Sequence, residues 1–193
     1  MELALYVFRT GKVKSKDNIF LGWLNLSLEK EGLIDADKVG KKLAKQNIGV
    51  GFCSDQLRGK QALIEVLKYQ PNAKVIVDAR LRERNYGIFS GREKELFKKY
   101  FASYPKIHRS YDGNIPMGEN LRDVTKRIFP FLKDMIKFMQ EEKVNVVLCA
   151  HTNSMRAIEE YMEDLSEDDL VIMENSPPSY KKYILKFDFS EID

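Results

Sequence analysis

The 193-residue chain is long enough for one substantial hydrophobic core, and its 44% hydrophobic and 32% charged residues are typical of a soluble globular protein rather than a disordered one. The 32 basic and 29 acidic residues are spread along the chain and leave a net charge of only +3, which argues against a nucleic-acid partner. No window approaches the roughly 20 apolar residues of a membrane span, and no secretory leader pattern is present. We therefore expect a cytoplasmic protein with one domain over residues 1–193 and no membrane association.

The first predicted feature is the stretch Glu2–Gly11, an apolar strand that runs into a basic turn ending in glycine. Its length and its β-branched and aromatic content favour a central parallel strand. Ligands of open α/β sheets bind at the carboxyl ends of such strands, so Arg9 and Thr10 occupy a position where chemistry is expected. The alternative is an ordinary strand exit with a solvated arginine.

Helical and strand patterns alternate through the rest of the chain. The predicted elements are a polar loop over Lys12–Asn18, a helix over Leu33–Gln46, a strand over Ile48–Cys53, a helix over Gln56–Tyr69 with Ser54 or Asp55 as its N-cap, a strand over Val75–Ala79, a helix over Arg92–Ser103, a loop over Tyr104–Asn120, a helix over Leu121–Glu142 kinked at Pro130, a strand over Val144–Ala150, a helix over Met155–Glu163, a short helix capped by Ser166, and a last strand near an edge over Tyr180–Phe187. This alternation predicts an α/β fold, a three-layer α/β/α sandwich around a mostly parallel central sheet.

The cysteines and histidines do not predict a metal site. Cys53 and Cys149 lie in or beside apolar strand-like runs, where a free thiol packs as a small hydrophobic side chain, and we expect no disulfide. Together with His108 and His151 they are widely scattered and show no ligand spacing, so no metal is expected.

Polar groups follow four of the predicted strands: Arg9, the turn Ser54–Arg58, the segment Arg82–Arg84, and His151. If these strands are neighbours, three cations and a carboxylate meet in one crevice, where arginines match the fork geometry of a phosphate dianion. Two helix N-termini, after residues 55 and 152, would add backbone donors. Two alternatives remain open, namely Glu83 as a structural ion-pair partner and His151 as a structural histidine.

The order and spacing of several motifs resemble the histidine phosphatase superfamily, and within it the cofactor-dependent phosphoglycerate mutases. The motifs extend through nearly the whole chain: Phe20-x-Gly-Trp23, Ser54-Asp-x-x-Arg58, Glu83-Arg-Asn-Tyr-Gly87 followed by Lys94, Arg109-Ser-Tyr-Asp112, Gly118-Glu-Asn-Leu121 with Arg127-Ile-Phe-Pro130, and His151-Thr-Asn-Ser-Met-Arg156. The resemblance implies a single phosphoglycerate mutase-like domain.

By this resemblance, Arg9, Arg58 and His151 hold the transferable phosphoryl group, and Glu83 is the general acid or base. The other implied substrate-binding positions are Asn18, Gly22, Arg84, Tyr86, Lys94, Arg109, Thr152 and Asn153. The implied ligand is a small phosphorylated metabolite, and the implied assembly is a monomer or a homodimer. No cofactor is held permanently; 2,3-bisphosphoglycerate would serve as a priming phosphate donor only if the chain is active.

The chain departs from that family at the nucleophile. There a histidine directly after the first arginine attacks phosphorus, and here that position is Thr10. A neutral imidazole is available near pH 7 and forms a labile P–N bond, whereas a threonine hydroxyl needs a base and would form an inert ester. Further departures are Leu21 for a hydroxyl residue, Thr152 for a glycine, and His108 for an arginine.

We therefore expect a phosphate-ester-binding protein whose mutase or phosphatase activity is lost or weak. One alternative is an active phosphotransferase or phosphatase that uses water or another nucleophile. The other is a protein–protein interaction module that no longer uses the pocket, although buried charges without partners are costly to retain.

Overall fold

The structure is a computed structural model that describes residues 1–100, 110–173 and 177–188. The strands are Glu2–Arg9 (β1), Ile48–Cys53 (β2), Lys74–Val77 (β3), Asn145–Ala150 (β4) and Tyr180–Lys186 (β5). The helices among the described residues are Lys30–Leu43 (α1), Leu57–Leu67 (α2), Lys94–Tyr100 (α3), Leu121–Glu142 (α4), Thr152–Glu163 (α5) and Glu167–Ile172 (α6). Short 3-10 turns occupy Ala79–Leu81 and Gly87–Phe89.

The five strands form one sheet in the order β3-β2-β4-β1-β5. Strands β3, β2, β4 and β1 run parallel to one another, and β5 is antiparallel to β1 at the edge. The register places Val7 opposite Leu148 and Phe8 opposite Cys149. The α/β class, the mostly parallel sheet, the position of β1 between two neighbours and the edge position of β5 are therefore confirmed.

Strand β1 is buried on both faces, and its alternating side chains contribute to two separate cores. Leu3, Leu5 and Val7 pack in one core with side chains of α4 and α5. On the other face, Ala4, Tyr6 and Phe8 pack with side chains of α1 and α2. Because helices cover both faces of the sheet, the near-continuous apolar sequence of β1 is what a parallel strand of a three-layer sandwich requires.

Helix α4 spans the predicted residues 121–142 and begins with a capping box, in which Asn120 and Asp123 exchange side-chain-to-backbone hydrogen bonds. Ser166 caps α6 as predicted. Pro130 lies inside α4, and the kink there stays a prediction. None of the helices in the described ranges is long and apolar enough to cross a membrane.

The predicted start of α2, just after the end of β2, is wrong. Helix α2 begins at Leu57 with Gln56 as its N-cap and without a side-chain capping bond, so neither Ser54 nor Asp55 is the N-cap. Both side chains are engaged elsewhere, because Ser54 contacts His151 and Asp55 pairs with Arg82. The first N–H of α2 instead finds a distant acceptor, since the Leu57 N–H donates to Asn25 Oδ1 at 2.7 Å.

Smaller differences of boundary occur at other elements. Helix α1 begins three residues earlier than predicted and ends at Leu43, α2 ends at Leu67, and β3 ends at Val77. Helix α5 begins at Thr152 rather than Met155. The predicted helix beyond Tyr100 and the predicted loop before Ser110 lie outside the described residues.

Candidate active site

The carboxyl ends of three adjacent parallel strands open into one cleft of about 420 Å³. Arg9 and Thr10 come at the end of β1, Ser54 follows β2, and His151 follows β4. Predicted site residues that line the cleft are Arg9, Thr10, Asn18, Arg58, Glu83, Lys94, His151 and Thr152. The sheet topology thus brings together side chains that are far apart in the sequence.

The other predicted site residues are placed differently. Gly22, Arg84, Tyr86 and Asn153 are not among the described residues that line the cleft. Arg84 is fully buried and donates from Nε to the backbone oxygen of Glu119 at 2.6 Å. The contact of these four residues with substrate stays a prediction. Arg109 and His108 lie outside the described residues.

His151 is buried between two hydroxyl groups. Its Nε2 lies 2.7 Å from Ser54 Oγ, and its Nδ1 lies 3.5 Å from Thr10 Oγ1. Burial, followed by the nearby Arg58 guanidinium, lowers the pKa of His151 to about 3, although Glu83 opposes the shift. The imidazole is therefore neutral at pH 7 in the unliganded protein.

Glu83 is a buried carboxylate at the N-terminus of α5. Its Oε2 accepts from the Thr152 N–H at 3.0 Å, and its Oε1 accepts from the Arg84 N–H at 2.7 Å, the Asn153 N–H at 3.0 Å and Asn153 Nδ2 at 2.9 Å. Burial raises the pKa of Glu83, but His151 and these donors favour the ionised form, and the net shift is downward. The helix dipole stabilises the same charge. The geometry thus makes Glu83 a structural anchor of the helix as well as a wall of the cleft.

The two arginines of the cleft are held very differently. Arg58 donates from Nη1 to the Leu24 oxygen and from Nη2 to the Gly22 oxygen, both at 2.7 Å. Arg9 donates from Nη1 to Thr152 Oγ1 at 3.5 Å, and its buried Nε has no hydrogen-bond partner in the described part of the chain. Burial lowers the pKa of both guanidinium groups. Arg58 is fixed by the fold, whereas Arg9 retains hydrogen-bonding capacity for a ligand.

The mouth of the cleft carries charges of both signs. Lys12, Lys16 and Lys94 line it together with Asp17, Glu31 and Asp35. Lys12 pairs with Glu29 at 3.4 Å and with Glu31 at 3.8 Å. Burial and the neighbouring Lys98 lower the pKa of Lys94. Among the described residues, no group of three or more His, Cys, Asp or Glu side chains is placed to hold a metal ion.

Sequence reasoning missed the role of Arg127, which supports the loop that carries Glu83. Its Nη1 donates to the backbone oxygens of Arg80 at 2.5 Å and Arg82 at 2.7 Å, and its Nη2 donates to the backbone oxygen of Glu83 at 3.1 Å. Its Nε and Nη2 also bind the Glu119 carboxylate at 2.8 and 2.9 Å. The signal in the sequence that could have indicated this role is the position of Arg127 between the buried residues of the amphipathic helix α4.

We expect Arg127→Met to lower the free energy of unfolding by about 3 kcal/mol, because it removes the donor to three backbone carbonyl groups and two hydrogen bonds to the Glu119 carboxylate. Urea unfolding measures this change. The matched control is Arg122→Met on the same helix, since Arg122 is exposed and pairs with the exposed Asp112, and it should change stability little. Equal effects of the two substitutions would contradict the proposed support of the Glu83 loop.

Comparisons with known proteins identify the family of the chain. Residues 5–188 match the histidine phosphatase superfamily (branch 1). A 2,3-bisphosphoglycerate-dependent phosphoglycerate mutase of Bartonella bacilliformis is 30% identical over 164 residues, covering 81% of this chain and 79% of that protein. The protein of the same name from Methanosarcina mazei is 28% identical over 182 residues, covering 77% of this chain and 76% of that protein. A solved mycobacterial glucosyl-3-phosphoglycerate phosphatase has a similar fold, with a TM-score of 0.80 and 21% identity over 95% of this chain and 91% of that one. The chain belongs to the histidine phosphatase superfamily.

Proposed function

We propose that the cleft binds the phosphate group of a small phosphate ester, and that Thr10 stands where relatives use a histidine nucleophile, so that catalytic turnover is lost or weak. The observation that carries the binding proposal is Arg9, whose buried Nε lacks a partner among the described residues although its side chain lines the cleft beside Arg58 and His151. A buried donor without an acceptor is costly. The Nη groups of the same guanidinium make one long hydrogen bond among the described residues, to Thr152 Oγ1, and a phosphate oxygen would give them a further acceptor.

The charge balance of the cleft floor supports an anionic ligand. Arg9 and Arg58 contribute two guanidinium groups, and Glu83 contributes one carboxylate that is already bound to backbone and amide donors. These three groups leave a net charge of +1, which attracts an anion, and a bound anion would offset the desolvation that lowers the pKa of both arginines. Bidentate contact with a phosphate is the geometry that guanidinium groups favour.

The loss of turnover rests on the chemistry of residue 10. The Thr10 backbone N–H donates to the Ala150 oxygen at 2.9 Å, which holds the residue at the cleft floor, 3.5 Å from His151 Nδ1. A hydroxyl in this place cannot form a labile P–N bond, and removal of a covalent nucleophile costs several orders of magnitude in rate.

The names of the relatives suggest the class of ligand, which we propose for this chain. Two of them are named for 2,3-bisphosphoglycerate-dependent phosphoglycerate mutase, and a structural neighbour is named for a phosphoglycerate ester. A phosphoglycerate-like ester suits the Lys94 and Asn18 side chains at the cleft mouth. A cytoplasmic location, a monomer or homodimer, and 2,3-bisphosphoglycerate as a priming donor stay predictions.

Thermal unfolding with and without orthovanadate or 3-phosphoglycerate tests the binding proposal. Ligand at about 100 times its Kd should stabilise the wild type by about 2.7 kcal/mol. We expect Arg9→Met to abolish this protection while leaving the stability of the unliganded protein nearly unchanged, because Arg9 makes only one long hydrogen bond among the described residues.

Arg58→Met is the matched comparison, because its guanidinium binds two backbone oxygens. It should lose both ligand protection and stability. The exposed Arg122→Met should retain both. Undiminished protection of Arg9→Met would exclude Arg9 as a phosphate ligand, and absence of protection in the wild type would favour an interaction module instead.

A further inference from the structure

Three side chains form a continuous line of contacts at the cleft floor. Ser54 Oγ lies 2.7 Å from His151 Nε2, and His151 Nδ1 lies 3.5 Å from Thr10 Oγ1. All three are buried, and Thr10 and His151 line the cleft. A hydroxyl nucleophile, an imidazole base and a group that orients the base are the components of an activated nucleophile, whose contacts are often long before substrate binds.

We propose that Thr10 accepts a phosphoryl group from the bound ester or acyl phosphate, with His151 as the base, and that the product is a stable phosphothreonine in the cleft. This inference rests on the proposed function, since the donor must first bind at Arg9 and Arg58. On this proposal, residue 10 still accepts one phosphoryl group, and the attached phosphate then remains in the site.

The orientation of His151 follows from Ser54. Ser54 Oγ also accepts from the Gln56 N–H at 3.3 Å, which holds the hydroxyl in place. We assign the imidazole proton to Nε2, which donates it to Ser54, so that Nδ1 keeps a lone pair 3.5 Å from the Thr10 hydroxyl oxygen. The buried imidazole is neutral before the donor binds, so that lone pair is available. A bound dianion opposes the field of Arg58, which increases the basicity of His151 during the step.

The reaction balances with the groups present. Thr10 Oγ1 forms a bond to phosphorus while its proton passes to His151 Nδ1. The bond between phosphorus and the leaving oxygen of the donor breaks, and that oxygen keeps the electron pair. With an acyl phosphate the leaving group departs as a carboxylate; with an alkyl ester it takes the proton from His151.

We expect the phosphothreonine to persist because the carboxylate nearest to a role in hydrolysis is already engaged by protein donors. A phosphothreonine ester is much less labile than the P–N bond of a phosphohistidine. Glu83, the buried carboxylate that lines the cleft, already accepts hydrogen bonds from the backbone N–H groups of Arg84, Thr152 and Asn153 and from the Asn153 side chain, so both of its oxygens are occupied by donors of the protein. Arg9 and Arg58 would then neutralise the attached phosphate.

Intact-mass measurement of the full chain tests the inference. The protein is incubated separately with acetyl phosphate and with 2,3-bisphosphoglycerate, then analysed before and after acid treatment, with peptide mapping of any modified residue. We expect one phosphoryl group per chain that survives acid and maps to Thr10. Thr10→Ser should be labelled, Thr10→Val should not, and His151→Gln should be labelled at least about 100-fold more slowly, the usual contribution of a general base.

Vanadate protection against thermal unfolding is measured in parallel on each variant and separates binding from chemistry. Protection without any label would overturn the inference and leave the proposed function intact. An acid-labile label would also overturn the inference and would indicate a histidine acceptor. Labelling of Thr10→Val at the wild-type rate would overturn it too, because the acceptor would then be another residue. No protection and no label would overturn the proposed function as well.

Discussion

Replacing Thr10 with histidine should produce an acid-labile phosphoenzyme and continuous release of phosphate from a phosphate monoester. Arg9, Arg58 and His151, the other residues proposed to bind the phosphoryl group, line the same cleft as Thr10. An imidazole at this position adds a nucleophile that is neutral near pH 7 and whose P–N bond water can cleave. We expect kcat/KM to rise by at least about 1,000-fold, equivalent to about 4 kcal/mol of transition-state stabilisation.

Steady-state phosphate release from 3-phosphoglycerate and from p-nitrophenyl phosphate measures the gain, and rapid-quench labelling detects the intermediate. Thr10→Asn is the matched control, because it changes the size and polarity of the side chain without adding a nucleophile. Vigorous turnover by the wild type, equal to that of Thr10→His, would show that the chain uses water or another nucleophile and that catalysis was never lost.

The free energy of unfolding should fall steeply as the pH drops from about 6.5, the ordinary histidine pKa, towards 4. In the folded protein, burial and Arg58 lower the pKa of His151 to about 3, against the opposing effect of Glu83. Between these two values the unfolded chain binds a proton that the folded chain excludes. The stabilisation is therefore complete above about pH 6.5 and is lost at up to about 1.4 kcal/mol per pH unit below it.

Urea unfolding at intervals from pH 7.5 to pH 5 measures this slope. Glu83, whose folded pKa is also lowered, contributes in the same direction, but only near and below the ordinary glutamate pKa of about 4.3. Between pH 5 and pH 6.5, the slope of the free energy of unfolding against pH therefore reports the titration of histidine without that of Glu83. His151→Gln should flatten the profile, and His108→Gln, which removes the other histidine of the chain, should retain the slope. A flat wild-type profile would mean that His151 titrates normally in the folded state.

Local sequence patterns predicted the elements well where the stabilising contacts are local. Helix α4 begins at the predicted residue because Asn120 and Asp123 form a capping box within one turn. The apolar runs of β2 and β4 identify buried parallel strands without any knowledge of their neighbours. The same patterns failed at Ser54, whose hydroxyl contacts His151, 97 residues away, instead of capping α2.

The sequence by itself determined the alternation of strands and helices, the polar residues at the strand ends and the threonine at residue 10, because each depends on side-chain type and short-range spacing. Only the tertiary structure decided that β4 lies between β1 and β2, which places Thr10 against His151 across 141 residues. It also distinguished Arg9, with an unpartnered Nε among the described residues, from Arg58, which binds two carbonyls. Hydrogen-bond partners and desolvation arise from chain segments that meet only on folding, so composition and spacing cannot specify them.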